Sequence, residues 1–149
     1  MRMTWLSRQT PIALMFVLAA CGDVPRADPT NARQIAAGKV TYDAHCAACH
    51  GANLEGEPNW KSRKANGRMP APPHDDTGHT WHHADDILFG ITKTGLSPPY
   101  APPGYQSDMP AFGAALADQQ IWDVLAYIKS RWSVRVREAQ SQINRQGKK

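Results

Sequence analysis

Cys46, Cys49 and His50 stand in the order C-x-x-C-H within the stretch Cys46-Ala47-Ala48-Cys49-His50. Two thiols separated by two residues can reach the two vinyl groups on one edge of a haem and form thioethers. The adjacent histidine can then swing beneath the iron as its proximal ligand. Two other chemistries share the C-x-x-C core. A zinc site needs a second pair of soft ligands at similar spacing, and the one other cysteine in the chain is Cys21. A redox dithiol needs a βαβ setting, and the sequence shows no strand with convincing alternation. Covalent attachment of one haem c per chain through Cys46 and Cys49, with His50 on the iron, is the expectation that survives.

A six-coordinate iron needs a second axial ligand. Of five methionines, Met1, Met3 and Met15 fall in an N-terminal leader, which leaves Met69 and Met109, each followed by proline. Proline fixes its own φ and restricts the residue before it, which suits a loop that presents a side chain. Reach does not choose between them. Location favours Met109, nine residues before Asp118 and the helix expected there. His45, His74, His79, His82 and His83 compete for the same role. His79 and His83 are four apart, a spacing that can hold a metal on one helix face, with copper the first to test. They straddle an expected helix start and need not share a face. The simpler expectation is that Trp81 packs toward the haem while these histidines cap, hydrogen-bond or face solvent.

Three helix signals surround these residues. Thr30 or Asn31 can cap a helix over 32–44, interrupted by Gly38. A mid-helix glycine costs about 1 kcal/mol against alanine, which suggests a close helix crossing. The stretch 51–80 is rich in glycine, proline and asparagine and reads as irregular chain. Wrapping a rigid cofactor would explain so long a loop, with Leu54 and Trp60 packed inward. A helix follows over 82–93, with Asp85 and Asp86 favourably placed near its start and Gly95 as its stop. After a proline-rich loop, Asp118 is the expected cap of the last helix. Ile121, Trp122, Leu125, Ile128 and Trp132 recur there at helical spacing to about residue 137. The fold class is all-α, with three to four helices around the haem.

The ends of the chain concern address. Arg2 and Arg8 precede the apolar run 11–20, and Leu18-Ala19-Ala20-Cys21 closes it. This is a signal peptide of lipoprotein type over 1–20, with Cys21 as the lipidated new N-terminus. The alternative is ordinary cleavage, leaving Cys21 a free thiol. A linker over 21–30, a haem domain over 31–137 and a basic, disordered tail over 138–149 complete the expected organisation. Residues 21–128 carry 8 basic and 12 acidic side chains, net −4, and residues 129–149 carry 7 and 1, net +6, within a whole-chain charge of +4. Nucleic acid is not an expected partner, because a short basic tail is no readout surface. The tail could meet an anionic membrane or a protein, or simply be solvated, which is the plainer reading.

These residues together resemble the small class I, mono-haem bacterial cytochromes c. The resemblance runs over about residues 31–132. It rests on Gly38 and Tyr42, on C-A-A-C-H-G at 46–51, on S-D-M-P-A-F at 107–112 and on L-A-Y-I at 125–128. It implies that the first helix crosses the last where Gly38 meets Tyr127 or Trp122, and that Met109 is the distal ligand. It also implies a proline carbonyl bonded to the proximal histidine, with Pro58, Pro70 and Pro72 all in the right region. The function implied is one-electron transfer, not enzymatic. With the leader and Cys21, the expected location is the periplasmic face of a bacterial membrane, held by a lipid on Cys21. The partners would be redox proteins: respiratory, dehydrogenase or oxidase components. The alternatives are a haem c subunit of a catalytic complex, or a haem and copper-handling protein with ligand-accessible iron.

Overall fold

The computed structural model describes residues 26–147. The expected signal peptide and Cys21 lie outside them. Five α-helices are present where three to four were expected: α1 (Ala32–His45), α2 (Ala47–His50), α3 (Asp85–Thr94), α4 (Asp118–Ser130) and α5 (Val134–Gln146). A single 3₁₀ turn covers Thr80–His82. No strand occurs among the described residues.

Helix α1 owes little to amphipathicity, being built largely of alanine and polar residues. Its start is fixed by Asn31, whose side chain accepts from the backbone N–H groups of Arg33 and Gln34, satisfying two orphan donors. Its long contact is with α4, and Gly38 is the reason the two can meet. A Cβ at residue 38 would lie 1.9 Å from the Asp123 carbonyl oxygen and 2.9 Å from Tyr127 Cβ. The crossing partner is therefore the turn from Asp123 to Tyr127 rather than Trp122. Tyr42, one turn further on, is fully buried and packs its ring 5.4 Å from that of Tyr127.

The periodicity of α4 predicts one apolar face, yet every residue from Ile121 to Lys129 is buried. Two apolar clusters flank it. Leu88, Leu116, Ile121, Trp122, Leu125 and Ala126 form one, and Tyr42, Leu54, Val124, Tyr127, Ile128 and Trp132 belong to the other. A helix covered on all sides needs an answer for its polar residues. Lys129 donates to both carboxylate oxygens of buried Asp85, at 2.8 and 2.7 Å, and to the Ala27 carbonyl at 3.3 Å. Gln140 adds a third donor to Asp85 at 2.7 Å.

Three boundaries differ from expectation. Asp118 is the first residue of α4 and Ala117 is its cap; Gln120 closes the turn by accepting from the Ala117 N–H. The single helix expected to run to 137 breaks after Ser130. Ser133 then caps a new helix by accepting from the Val136 N–H, so residues 138–146 are helical rather than a disordered tail. The 26–30 part of the expected linker is also packed. Ala27 is buried in the first cluster, Arg26 pairs with Asp86 and lies over the Trp122 ring, and the Asp28 N–H donates to Gln34. Helix α3 starts at Asp85, three residues later than expected, because residues 80–82 take the 3₁₀ turn. It stops at Gly95 as the sequence suggests.

Candidate haem site

Cys46 ends α1 and also precedes the single turn of α2. That turn is closed by the His50 N–H to the Cys46 carbonyl (2.9 Å) and the Gly51 N–H to the Ala47 carbonyl (2.9 Å). Helical spacing of three and four sets Cys49 and His50 on the same side as Cys46. Gly51 then turns the chain away at φ +80°, a conformation that disfavours any side chain. Tyr42 holds this end of the motif from below: its hydroxyl donates to the Gly51 carbonyl at 2.8 Å, with the His50 carbonyl at 3.3 Å. Neither cysteine is in a disulfide; Cys49 is exposed and Cys46 half-buried.

His50 is buried, and its Nδ1 lies 2.8 Å from the Pro72 carbonyl oxygen. A carbonyl can only accept, so Nδ1 carries the proton and the lone pair is left on Nε2. Burial lowers the His50 pKa, against the opposing effects of the Pro72 carbonyl and Glu57. The result is a neutral imidazole of fixed tautomer with one nitrogen available, which is the form that ligates a metal. Of the three prolines open in the sequence, Pro72 is the one that makes this contact.

The five competing histidines are dispersed. His74 stacks on His50 with ring centroids 3.9 Å apart. His79 stacks on half-buried Trp60 and meets His83 edge-on at 5.5 Å. His82 stacks on Trp81, whose Nε1 donates to the Asp76 carbonyl. His45 meets Phe112 edge-on. Burial is the first cause of lowered pKa values at His74, His79 and His83. Among the described residues, no three His, Cys, Asp or Glu side chains gather as a metal-binding group.

Met69 and Met109 are both half-buried, and their loops are tied together. Arg68 pairs with Asp108, Lys64 lies 3.8 Å from Asp108 and 3.0 Å from Glu57, and Glu57 accepts from the Ala71 N–H at 2.6 Å. Hydrogen bonding to Arg68 holds the Asp108 carboxyl below its usual range. Met109 is anchored on both sides. Its N–H donates to Ser107 Oγ at 3.0 Å, and downstream the Phe112 and Gly113 N–H groups donate to the Thr92 and Lys93 carbonyls at the end of α3. Met69 lies on the strip that also carries Pro72, directly after the Arg68 that reaches across to Asp108.

Sequence reasoning did not find the support around His50. Thr80, Trp132 and the carbonyl of His74 contribute through one hydroxyl, one indole N–H and one backbone oxygen. Trp132 shows in the sequence as an apolar helical position, but its indole bond to the His74 carbonyl and the Thr80 hydroxyl beside the His74 ring leave no periodic trace. The motif-bearing residues fit a covalently held haem: two cysteines on one side of a helical turn, and a neutral imidazole with Nε2 unclaimed.

The comparisons agree. The cytochrome c family matches residues 35–132. Cytochrome c-555 of Prosthecochloris aestuarii is 33% identical over 99 residues, which span 63% of this chain and 84% of that protein. No solved structure matches at a significant level. The chain belongs to the cytochrome c family: it is a class I, mono-haem protein that carries haem c covalently and serves as an electron carrier between redox partners.

Proposed function

We propose that this protein is an exported one-electron carrier whose haem is joined to Cys46 and Cys49, with His50 and Met109 as the axial ligands. The observation that carries the reading is the 2.8 Å bond from His50 Nδ1 to the Pro72 carbonyl, on a residue directly after Cys49. It puts the proton on Nδ1 and leaves the Nε2 lone pair free. When bound, the haem supplies reversible Fe(III)/Fe(II) chemistry, and thioether ligation raises its potential.

The residues around it hold rather than react. Tyr42 and Gly51 set the end of the motif, Pro72 sets the imidazole tautomer, and the Ser107 and α3 contacts set the Met109 loop. The protein contributes orientation and a low-dielectric surround. The partners are redox proteins that donate to and accept from an exposed haem edge. Processing after Ala20 and lipidation of Cys21 would hold the domain at the periplasmic face of a bacterial membrane. Among the described residues no helix is long and apolar enough to cross one.

Carbon monoxide tests the closed site. The ferrous protein at neutral pH should show low-spin c-type bands and leave them unchanged under carbon monoxide. Rapid conversion to a carbon monoxide complex would favour a ligand-binding or catalytic haem instead.

A further inference from the structure

His74 has no part in the C-x-x-C-H motif, yet it is the ring in closest contact with His50. The two imidazoles lie 3.9 Å apart at 21°, close to parallel. His74 is itself held in place through its ring and its backbone. Its Nδ1 lies 2.8 Å from Thr80 Oγ1, and the Thr80 hydroxyl donates onward to the Pro73 carbonyl at 3.4 Å. The short bond holds the ring whichever partner carries the proton. The His74 backbone N–H donates to the Leu54 carbonyl at 2.8 Å, and its carbonyl accepts from Trp132 Nε1 at 2.7 Å. Tyr42 lies edge-on at 6.3 Å. Leu54 and Trp132 are both buried, so the ring is tied at both backbone ends to the core.

The geometry points to His74 as a positioning residue: a flat wall that fixes the rotation of the proximal imidazole about its bond to the iron and keeps water from the His50–Pro72 hydrogen bond. The Pro72 bond alone fixes the tautomer but is a single hinge, about which the ring can still rock. A parallel plane at 3.9 Å removes that freedom. A fixed ligand plane sets the orientation of the iron orbitals that carry the unpaired electron, and a dry proximal side disfavours the more highly charged ferric state. Supporting partners of this kind tune a metal site through its ligand rather than by touching the metal.

The inference rests on His50 being the proximal ligand, and that reading has its own test: His50→Gly should lose the low-spin spectrum. The wall is tested in the holo-protein with His74→Phe and His74→Leu. The readouts are the hyperfine-shifted haem-methyl proton resonances of the oxidised form and the reduction potential. Phe keeps a plane against His50 and should retain the wild-type methyl pattern. Leu fills similar space without a plane; its methyl pattern should be altered or broadened and its potential should fall. Thr80→Val frees the His74 ring without opening a cavity, and it should broaden the same resonances. Wild-type patterns and potentials in both the Leu and Val variants would overturn the proposal. Equal changes in the Phe and Leu variants would also overturn it, because hydrogen bonding and not the plane would then be responsible.

Discussion

Replacing Gly38 with alanine tests the crossing that sets α1, and hence the haem motif at its end, against α4. The added Cβ would meet the Asp123 carbonyl oxygen at 1.9 Å, its carbon at 2.5 Å and Tyr127 Cβ at 2.9 Å. Non-bonded carbon atoms rest about 3.5–4.0 Å apart. Two of the three obstacles are backbone atoms, so no rotamer change relieves the clash and the helices must separate. Overpacking costs about 1–3 kcal/mol, and an obstacle of backbone places this site at the upper end, about 3. Alanine returns about 1 kcal/mol of helix propensity. The net loss is about 2 kcal/mol. With a slope of about 2 kcal/mol per molar urea, the midpoint should fall by about 1 M, and Tm by about 8 °C. Val40→Ala on the same helix is the control. Val40 is 71% exposed, so the change should stay within about 0.5 kcal/mol. A Gly38→Ala protein with the urea midpoint of wild type would refute the close-crossing argument.

Other outcomes follow from the same contacts. Asp85→Ala strands Lys129 in the interior and should cost about 3–5 kcal/mol in urea unfolding, since Lys129 and Asp85 are both buried and the Ala27 carbonyl is then the one partner left to the Lys129 ammonium among the described residues. Stability should fall with acid in two windows. His74, His79 and His83 have folded pKa values below the ordinary 6.5. The unfolded chain therefore binds protons first, and their contribution is complete above 6.5 and lost as pH falls below it. Asp28, Glu57 and Asp108 are lowered too, mainly by hydrogen bonds from Thr30, Ala71 and Arg68, so their contribution holds above the ordinary carboxylate values and is lost below about pH 4. Urea midpoints measured from pH 8 to pH 3 should show both declines, and His74→Phe should weaken the first alone. Asp108→Asn releases Arg68 and Lys64 from the Met109 loop. The near-infrared sulfur-to-iron band should then disappear at lower urea than in wild type, while the far-ultraviolet midpoint is kept.

Much of the site was legible because its chemistry is local in sequence. Cys46, Cys49 and His50 are one turn of helix, and no distant residue is needed to read them. Gly38 was legible as an anomaly, a glycine where a helix wants none, and the structure supplies the reason. Pro72 was not separable from Pro58 and Pro70, because the contact depends on how an irregular loop folds back over His50 and all three prolines look alike in the sequence. Helix α5 was missed for a related reason. The apolar periodicity of Ile121 to Trp132 runs on into Val134 and Val136, so one long helix fits the pattern. What breaks it is the Ser133 cap, and what anchors the new helix is Gln140, a polar residue only 1% exposed. Its amide donates to Asp85 and to the His83 carbonyl, and Asn144 accepts from the Asp85 N–H that opens α3. A buried polar network has no hydrophobic period to reveal it. The family match ends at residue 132, and α5 lies beyond it. The two stretches expected to be loose, 26–30 and 138–146, are ordered for one connected reason. Lys129 needs partners in the interior; Ala27 supplies one directly, and Gln140 helps to hold the Asp85 that supplies the others.

The identity of the distal ligand decides whether the iron site is closed. The near-infrared sulfur-to-iron band of the oxidised protein reports a methionine on the iron, and Met69 and Met109 are the only methionines among the described residues. The band should be present in wild type and in Met69→Ala and absent in Met109→Ala. Survival of the band in Met109→Ala together with its loss in Met69→Ala would contradict the assignment.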